Sequence, residues 1–139
     1  MRKRKKNGGK TITFGIHFTL DGYGGNPKKL FDLSLLFHLL NDLPTKLGMT
    51  KMTLPHVVYW PGKQKKDSGG ISGFVMIAES HISIHTFWRR GFATIDVYTC
   101  NNQLDTKFVT SYFKTALELK ETETHLIRRG PSYPAVNIV

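Results

Sequence analysis

The sequence predicts an α+β fold, a two-layer α/β sandwich with helices on one face of a mainly antiparallel sheet. Three observations predict it. Several segments alternate apolar and polar residues with period two, as strands buried on one face do. Two others carry apolar residues at helical spacing behind capping residues. The order is strand, helix, strands, then strand, helix, strand. Short links between neighbouring strands favour antiparallel pairing, with the helices gathered on one side.

The first strand is expected over 11–20, where Ile12, Phe14, Ile16, Phe18 and Leu20 share a face. Asp21-Gly22-Tyr23-Gly24-Gly25 breaks the alternation, and Asn26-Pro27 reads as an N-cap with proline at the first helical position. Leu30, Leu33, Leu36, Phe37 and Leu40 form the stripe of a helix that ends near Pro44. A strand over 52–60 contains Pro55, which places it at a sheet edge or sets its start. Residues 61–70 are polar, basic and glycine-bearing, hence a loop. Strands follow over 71–78, 81–86 and 92–100, the last rich in β-branched and aromatic residues. Asp105 caps a helix carrying Phe108, Val109, Tyr112, Phe113, Ala116 and Leu117. A final strand over 122–129 ends at the Gly130-Pro131 break.

At 139 residues the chain fits one domain, expected over 11–139 behind a basic arm at 1–10. Hydrophobic content of 40% and charged content of 22% are globular values and exclude wholesale disorder. No apolar run approaches the length of a membrane-spanning helix. The single cysteine, Cys100, excludes an intrachain disulfide framework and a multi-thiolate zinc site. A free thiol and no recognisable secretory signal suit the cytoplasm.

The net charge is +10, and Arg2, Lys3, Arg4, Lys5, Lys6 and Lys10 crowd the first ten residues. Such an arm can touch nucleic acid or an anionic surface; a solvated terminus is the plainer reading.

Chemistry concentrates between Gly69 and Cys100, in GGISG (69–73), AESHISIHT (78–86) and TIDVYTC (94–100). His81 and His85 have the spacing that shares a metal on a helix, but their flanks alternate like a strand. Four strand residues span roughly 13 Å, too far for two rings on one ion. Ser80 lacks the Gly-x-Ser-x-Gly elbow of a serine hydrolase. GGISG lacks the Lys-Ser/Thr of a phosphate loop and reads as a tight hairpin or bulge. A third chemistry suits the block better. A serine hydroxyl can attack the carbonyl that precedes it, turning amide into ester. Elimination and hydrolysis then leave a chain that begins with a pyruvoyl group. That requires a strained or polarised peptide, an acid/base and donors for the oxyanion. His85 and the Ser72 hydroxyl are candidates to fold over Ser80.

The block GGISGFVMIAESHISIHT, with GFATIDVYTC after it, closely resembles the small prokaryotic form of S-adenosylmethionine decarboxylase, over about 14–129. The Glu-Ser-His…His-Thr…Cys spacing is highly specific. The resemblance implies self-cleavage between Glu79 and Ser80, into a β chain 1–79 and an α chain 80–139 that begins with pyruvoyl made from Ser80. It implies that Ser72 and His85 serve processing and that Cys100 donates the proton replacing the lost carboxylate. It also implies a two-layer sandwich working as a homodimer of cleaved protomers and feeding spermidine synthesis. The pyruvoyl group does the work of pyridoxal phosphate without a separate cofactor, and no metal is expected.

One segment departs from the family pattern. After His-Thr the family usually continues Trp-Pro-Glu; here Phe87-Trp88-Arg89 stands. Aromatic surface for stacking on a base survives in Phe87 or Trp88, but the carboxylate has become a guanidinium. The substrate therefore stays open between S-adenosylmethionine and, as in some relatives, arginine or ornithine. A reading of another class is an uncleaved module that binds nucleic acid or a protein through its basic arm.

Overall fold

The computed structural model describes residues 9–63, 65 and 68–138. The basic arm, apart from Gly9 and Lys10, lies outside them.

A six-stranded sheet, antiparallel at every pairing, forms the centre. In spatial order it holds β3 (His56–Trp60), β4 (Gly70–Ile77), β5 (Ser80–Phe87), β6 (Phe92–Thr99), β2 (Gly15–Tyr23) and β7 (Glu121–Arg129). Helices α1 (Pro27–Leu30), α2 (Leu33–Lys46) and α3 (Thr106–Leu117) account for the second layer. Alternation decides which side they cover. Ile16, Phe18 and Leu20 of β2, Ile71, Val75 and Ile77 of β4, Ile82 and Ile84 of β5, and Ile95 and Val97 of β6 are all buried. All of these but Ile16 join Leu36, Leu40 and Leu43 of α2 and Val109, Phe113 and Leu117 of α3 in one core. The α+β two-layer sandwich expected from the sequence is therefore the fold.

Several boundaries differ from expectation for identifiable reasons. The segment at 11–20 is two strands: β1 (Thr11–Ile12) pairs with β8 (Tyr133–Pro134) in a separate ribbon. Phe14 between them leaves the core face and packs at a tilt against Tyr133, 5.1 Å between centroids. Strand β2 does not stop at Asp21 but runs to Tyr23, because β6 and β7 flank it on both sides.

The first helix is also two. Asn26 caps α1 and accepts from the Lys28 N–H at 3.0 Å; Asp32 caps α2 and accepts from the Leu35 N–H at 3.0 Å. The second cap resets the helical phase. Leu36, Leu39, Leu40 and Leu43 face the sheet, while Leu33 is exposed and Phe37 only partly covered. Pro44 sits inside the last turn of α2 rather than beyond it. Strand β3 starts after Pro55 and lies at the sheet edge, as a proline demands. The stretch before it forms no named strand and meets β4 at an isolated bridge, Lys51 to Ile77.

GGISG is neither hairpin nor bulge. Gly69 turns the chain at φ +84°, and Gly70 opens β4, where a Cβ would lie 1.6 Å from the Thr86 carbonyl oxygen. Only glycine permits that approach between β4 and β5. Buried Thr86 completes the join. Its hydroxyl donates to the Leu30 carbonyl at 2.7 Å and accepts from the Ile71 N–H at 3.2 Å. Tyr112 ties the helices together by donating to the Leu39 carbonyl at 2.8 Å, and burial pushes its phenol up to about 12.

Leu40 fills the space over Gly73 in the middle of α2. Leu40→Ala is expected to cost about 2–5 kcal/mol, read as a lower urea midpoint at unchanged slope.

Candidate active site

The hairpin between β4 and β5 closes through two residues, Ala78 and Glu79, and the next residue is Ser80. Two-residue hairpin loops favour turns with positive φ, supplied by Gly or Asn. Ala78 and Glu79 offer neither. Positive φ falls instead on Ser80, at 153°, a region L-residues rarely adopt. Among the described residues only Glu118, in the left-handed cap of α3, shares a positive φ without being glycine.

Across the sheet Ser80 pairs with Thr99, the last residue of β6. One step further, the Cys100 N–H donates to the Glu79 carbonyl oxygen at 2.9 Å. The carbonyl carbon that Ser80 would attack is thus polarised by a fixed main-chain donor, as an oxyanion site requires. Gly15 of β2 makes room for this bond. A Cβ there would sit 2.4 Å from the Thr99 carbonyl oxygen and 2.9 Å from the Cys100 Cα. Glu79, Ser80 and Cys100 are each partly accessible.

Ser72 and His85 lie elsewhere. They are register partners on β4 and β5, with Ser72 Oγ 2.8 Å from His85 Nδ1. Ser80 pairs with Ile77 instead. Five residues of strand separate His85 from Ser80, roughly 16 Å. The expectation that Ser72 and His85 fold over Ser80 therefore fails within one chain, because a straight strand holds them apart. The pair borders a pocket of about 180 Å³ with His56, Val58, Phe74 and Ser83. No motif in the sequence singles out His56, which reaches the pair from β3, the strand beside β4.

Phe87, Trp88 and Arg89 close the far end of β5. Phe87 stacks on Phe92 at 5.8 Å between centroids, and Trp88 packs on Phe31 at 5.0 Å. The Arg89 guanidinium lies 4.2 Å above the Trp88 ring and donates to the Ser68 carbonyl at 3.1 Å. Arg90 donates to the Lys65 carbonyl at 3.1 Å. The two arginines fasten the basic loop at Ser68 and Lys65.

Residues 16–130 match the S-adenosylmethionine decarboxylase family. The chain belongs to that family. The S-adenosylmethionine decarboxylase proenzyme 2 of Halalkalibacterium halodurans is 35% identical over 118 residues, covering 85% of this chain and 87% of that one. The S-adenosylmethionine decarboxylase proenzyme of Pyrobaculum islandicum is 32% identical over 115 residues, covering 83% and 87%. The crystal structure of the adenosylmethionine decarboxylase from Aquifex aeolicus superposes with a TM-score of 0.70 at 32% identity, over 86% of this chain and 92% of that one.

On the sheet face away from the helices, this S-adenosylmethionine decarboxylase family member also carries a cluster that the sequence did not reveal. His17 Nε2 donates to Asp96 at 2.9 Å, and Ser83 donates to the same carboxylate at 3.4 Å. Arg129 donates to His17 Nδ1 at 3.4 Å and lies 4.8 Å over the Tyr98 ring. His81 stacks on Phe74 at 5.2 Å and meets Tyr98 edge-on. Burial, with help from His17 and Arg129, pushes the His81 imidazole below its usual value of 6.5, against the pull of Asp96.

A lowered imidazole pKa means the unfolded chain takes up the proton first. Stability contributed by neutral His81 is thus complete above pH 6.5 and lost as pH falls through the native value. Unfolding midpoints between pH 8 and pH 5 should fall less steeply for His81→Gln than for the wild type.

Proposed function

We propose that the chain is a self-processing, pyruvoyl-dependent decarboxylase acting on S-adenosylmethionine, and the observation that carries this is strained Ser80 beside a carbonyl held by the Cys100 N–H. The Ser80 oxygen bonds to the Glu79 carbonyl carbon as the peptide C–N bond breaks. Removal of the Ser80 Cα proton then expels the Glu79 carboxylate, and water replaces the nitrogen, which leaves as ammonia. The products are a β chain 1–79 and an α chain 80–139.

Ser80 fits the pyruvoyl group it would become, because the peptide before it is both strained and polarised. When present, that group draws electrons from the substrate's α-carbon as the carboxylate departs. Cys100 Sγ returns a proton to that carbon. The His85 imidazole, oriented by Ser72, accepts the Ser80 Cα proton during processing.

Within one chain His85 cannot reach Ser80, which supports a homodimer in which each copy's Ser72–His85 pair serves the other's Ser80. The face away from the helices supports the same reading, since it exposes Val58, Trp60, Phe74, Met76 and Ile127. Phe87 and Trp88 offer aromatic surface for the substrate's base, with Arg89 at the rim. Among the described residues no helix is long and apolar enough to cross a membrane.

Intact mass tests the reading. Wild-type protein should give two chains split after Glu79, the second blocked by pyruvoyl, and Ser80→Ala should stay whole. The cut enzyme should release carbon dioxide from S-adenosylmethionine; release from arginine or ornithine alone would overturn the substrate. A whole wild-type chain with salt-sensitive RNA binding would overturn the enzyme reading.

Cys100→Ser keeps the N–H and should still cut, while decarboxylation drops by about 10²-fold or more. Ser80→Ala and His85→Ala chains should each remain whole alone. Expressed together, the His85→Ala chain should be cut.

A further inference from the structure

Segment 49–52 reaches the same turn from the opposite side. The Thr50 N–H donates to Glu79 Oε1 at 3.1 Å, and the Ala78 N–H donates to the Thr50 carbonyl at 2.8 Å. Lys51 bridges to Ile77, and the Met52 N–H donates to the Met76 carbonyl at 2.9 Å. Every residue of the turn, and the strand end leading into it, is therefore pinned by this strap.

The strap is itself anchored. Met49 is buried in the core, and its N–H donates to the Pro44 carbonyl at 2.8 Å, at the end of α2. The Lys51 ammonium donates to the Asn41 side chain on the same helix. Thr50 lies between these two anchors with its own side chain exposed. What it contributes to the turn comes from its main chain.

Glu79 is held twice as a result, its carboxylate by Thr50 on one side and its carbonyl by Cys100 on the other. With both ends of that residue fixed, the turn cannot relax by rotating Glu79. The unfavourable dihedral is left to Ser80.

We propose that Thr50 is a positioning residue for self-cleavage, whose N–H locks the Glu79 side chain so that the scissile carbonyl stays on the Cys100 N–H and Ser80 stays strained. This rests on the self-processing reading above. The strap takes no part in bond making; it fixes the geometry from which the Ser80 hydroxyl attacks. It also predicts a selective requirement: an acceptor at the Glu79 side chain, whether charged or not, and an N–H at position 50, whatever the side chain.

The test follows cutting of freshly synthesised full-length chains in cell-free translation, by mass, with thermal unfolding of the purified products alongside. Glu79→Gln keeps the acceptor and Thr50→Ala keeps the donor, so both should cut within about threefold of wild type. Glu79→Ala and Thr50→Pro each remove one partner and should cut about tenfold or more slowly. Because both sever one bond, the double variant should be no slower than the slower single.

Losses that multiply in the double variant would overturn the strap, as would a Glu79→Ala chain that cuts at the wild-type rate. Slow cutting by Thr50→Ala would overturn the main-chain role. A wild-type chain that never cuts would sink the self-processing reading, and the strap with it.

Discussion

Antiparallel pairing of Ser80 with Thr99 is the constraint from which the rest of the site follows. It fixes the first residue of β5 against the last residue of β6, and so carries the Glu79 carbonyl to the Cys100 N–H. The hairpin has two residues in which to reverse direction, and neither takes the positive φ that such turns favour. The ladder wins and the dihedral at Ser80 yields. Strain of this kind costs on the order of 1–3 kcal/mol, well within what a paired six-stranded sheet can hold.

The two faces of the sheet divide the labour. One carries branched aliphatic side chains against α2 and α3 and sets the stability of the molecule. The other carries Ser72, His81, Ser83, His85, Asp96 and His17, chemistry that would be costly to bury without partners. Period-two alternation is what allows a single strand such as β5 to serve both. Ile82 and Ile84 belong to the core, while their neighbours His81, Ser83 and His85 face away from it.

The alternation is why the fold was legible from the sequence. Ile16, Phe18 and Leu20 announced β2, and Asp105 announced α3. The phase of the first helix was not legible, since nothing in the residues marks Asp32 as a second cap until Phe31 is seen to break the helical path. Chemistry and family resemblance both point to Ser72 and His85 as partners of Ser80, yet their contact with each other was within reach of the sequence. A two-residue turn at Ala78-Glu79 sets the register and places 72 opposite 85. Their distance from Ser80 follows from the same register. Thr50 carries no side-chain signal, because its contribution comes from a main-chain N–H common to almost every residue. Arg89 departs from the family's carboxylate, and its contacts with the Trp88 ring and the Ser68 carbonyl are visible only in the structure.

The position of β2 between β6 and β7 has a topological consequence for a chain severed after Glu79. The first fragment would own β2, β3 and β4, and the second β5, β6 and β7. In the sheet these do not lie in two blocks: β2 is inserted between two strands of the second fragment. The fragments are interleaved, meeting along β4–β5, β6–β2 and β2–β7. Separating them would mean unzipping those three ladders and the β1–β8 ribbon and opening the core, so the severed molecule would come apart only by unfolding. A covalent break at a hairpin tip leaves a non-covalent lock that needs no disulfide to secure it.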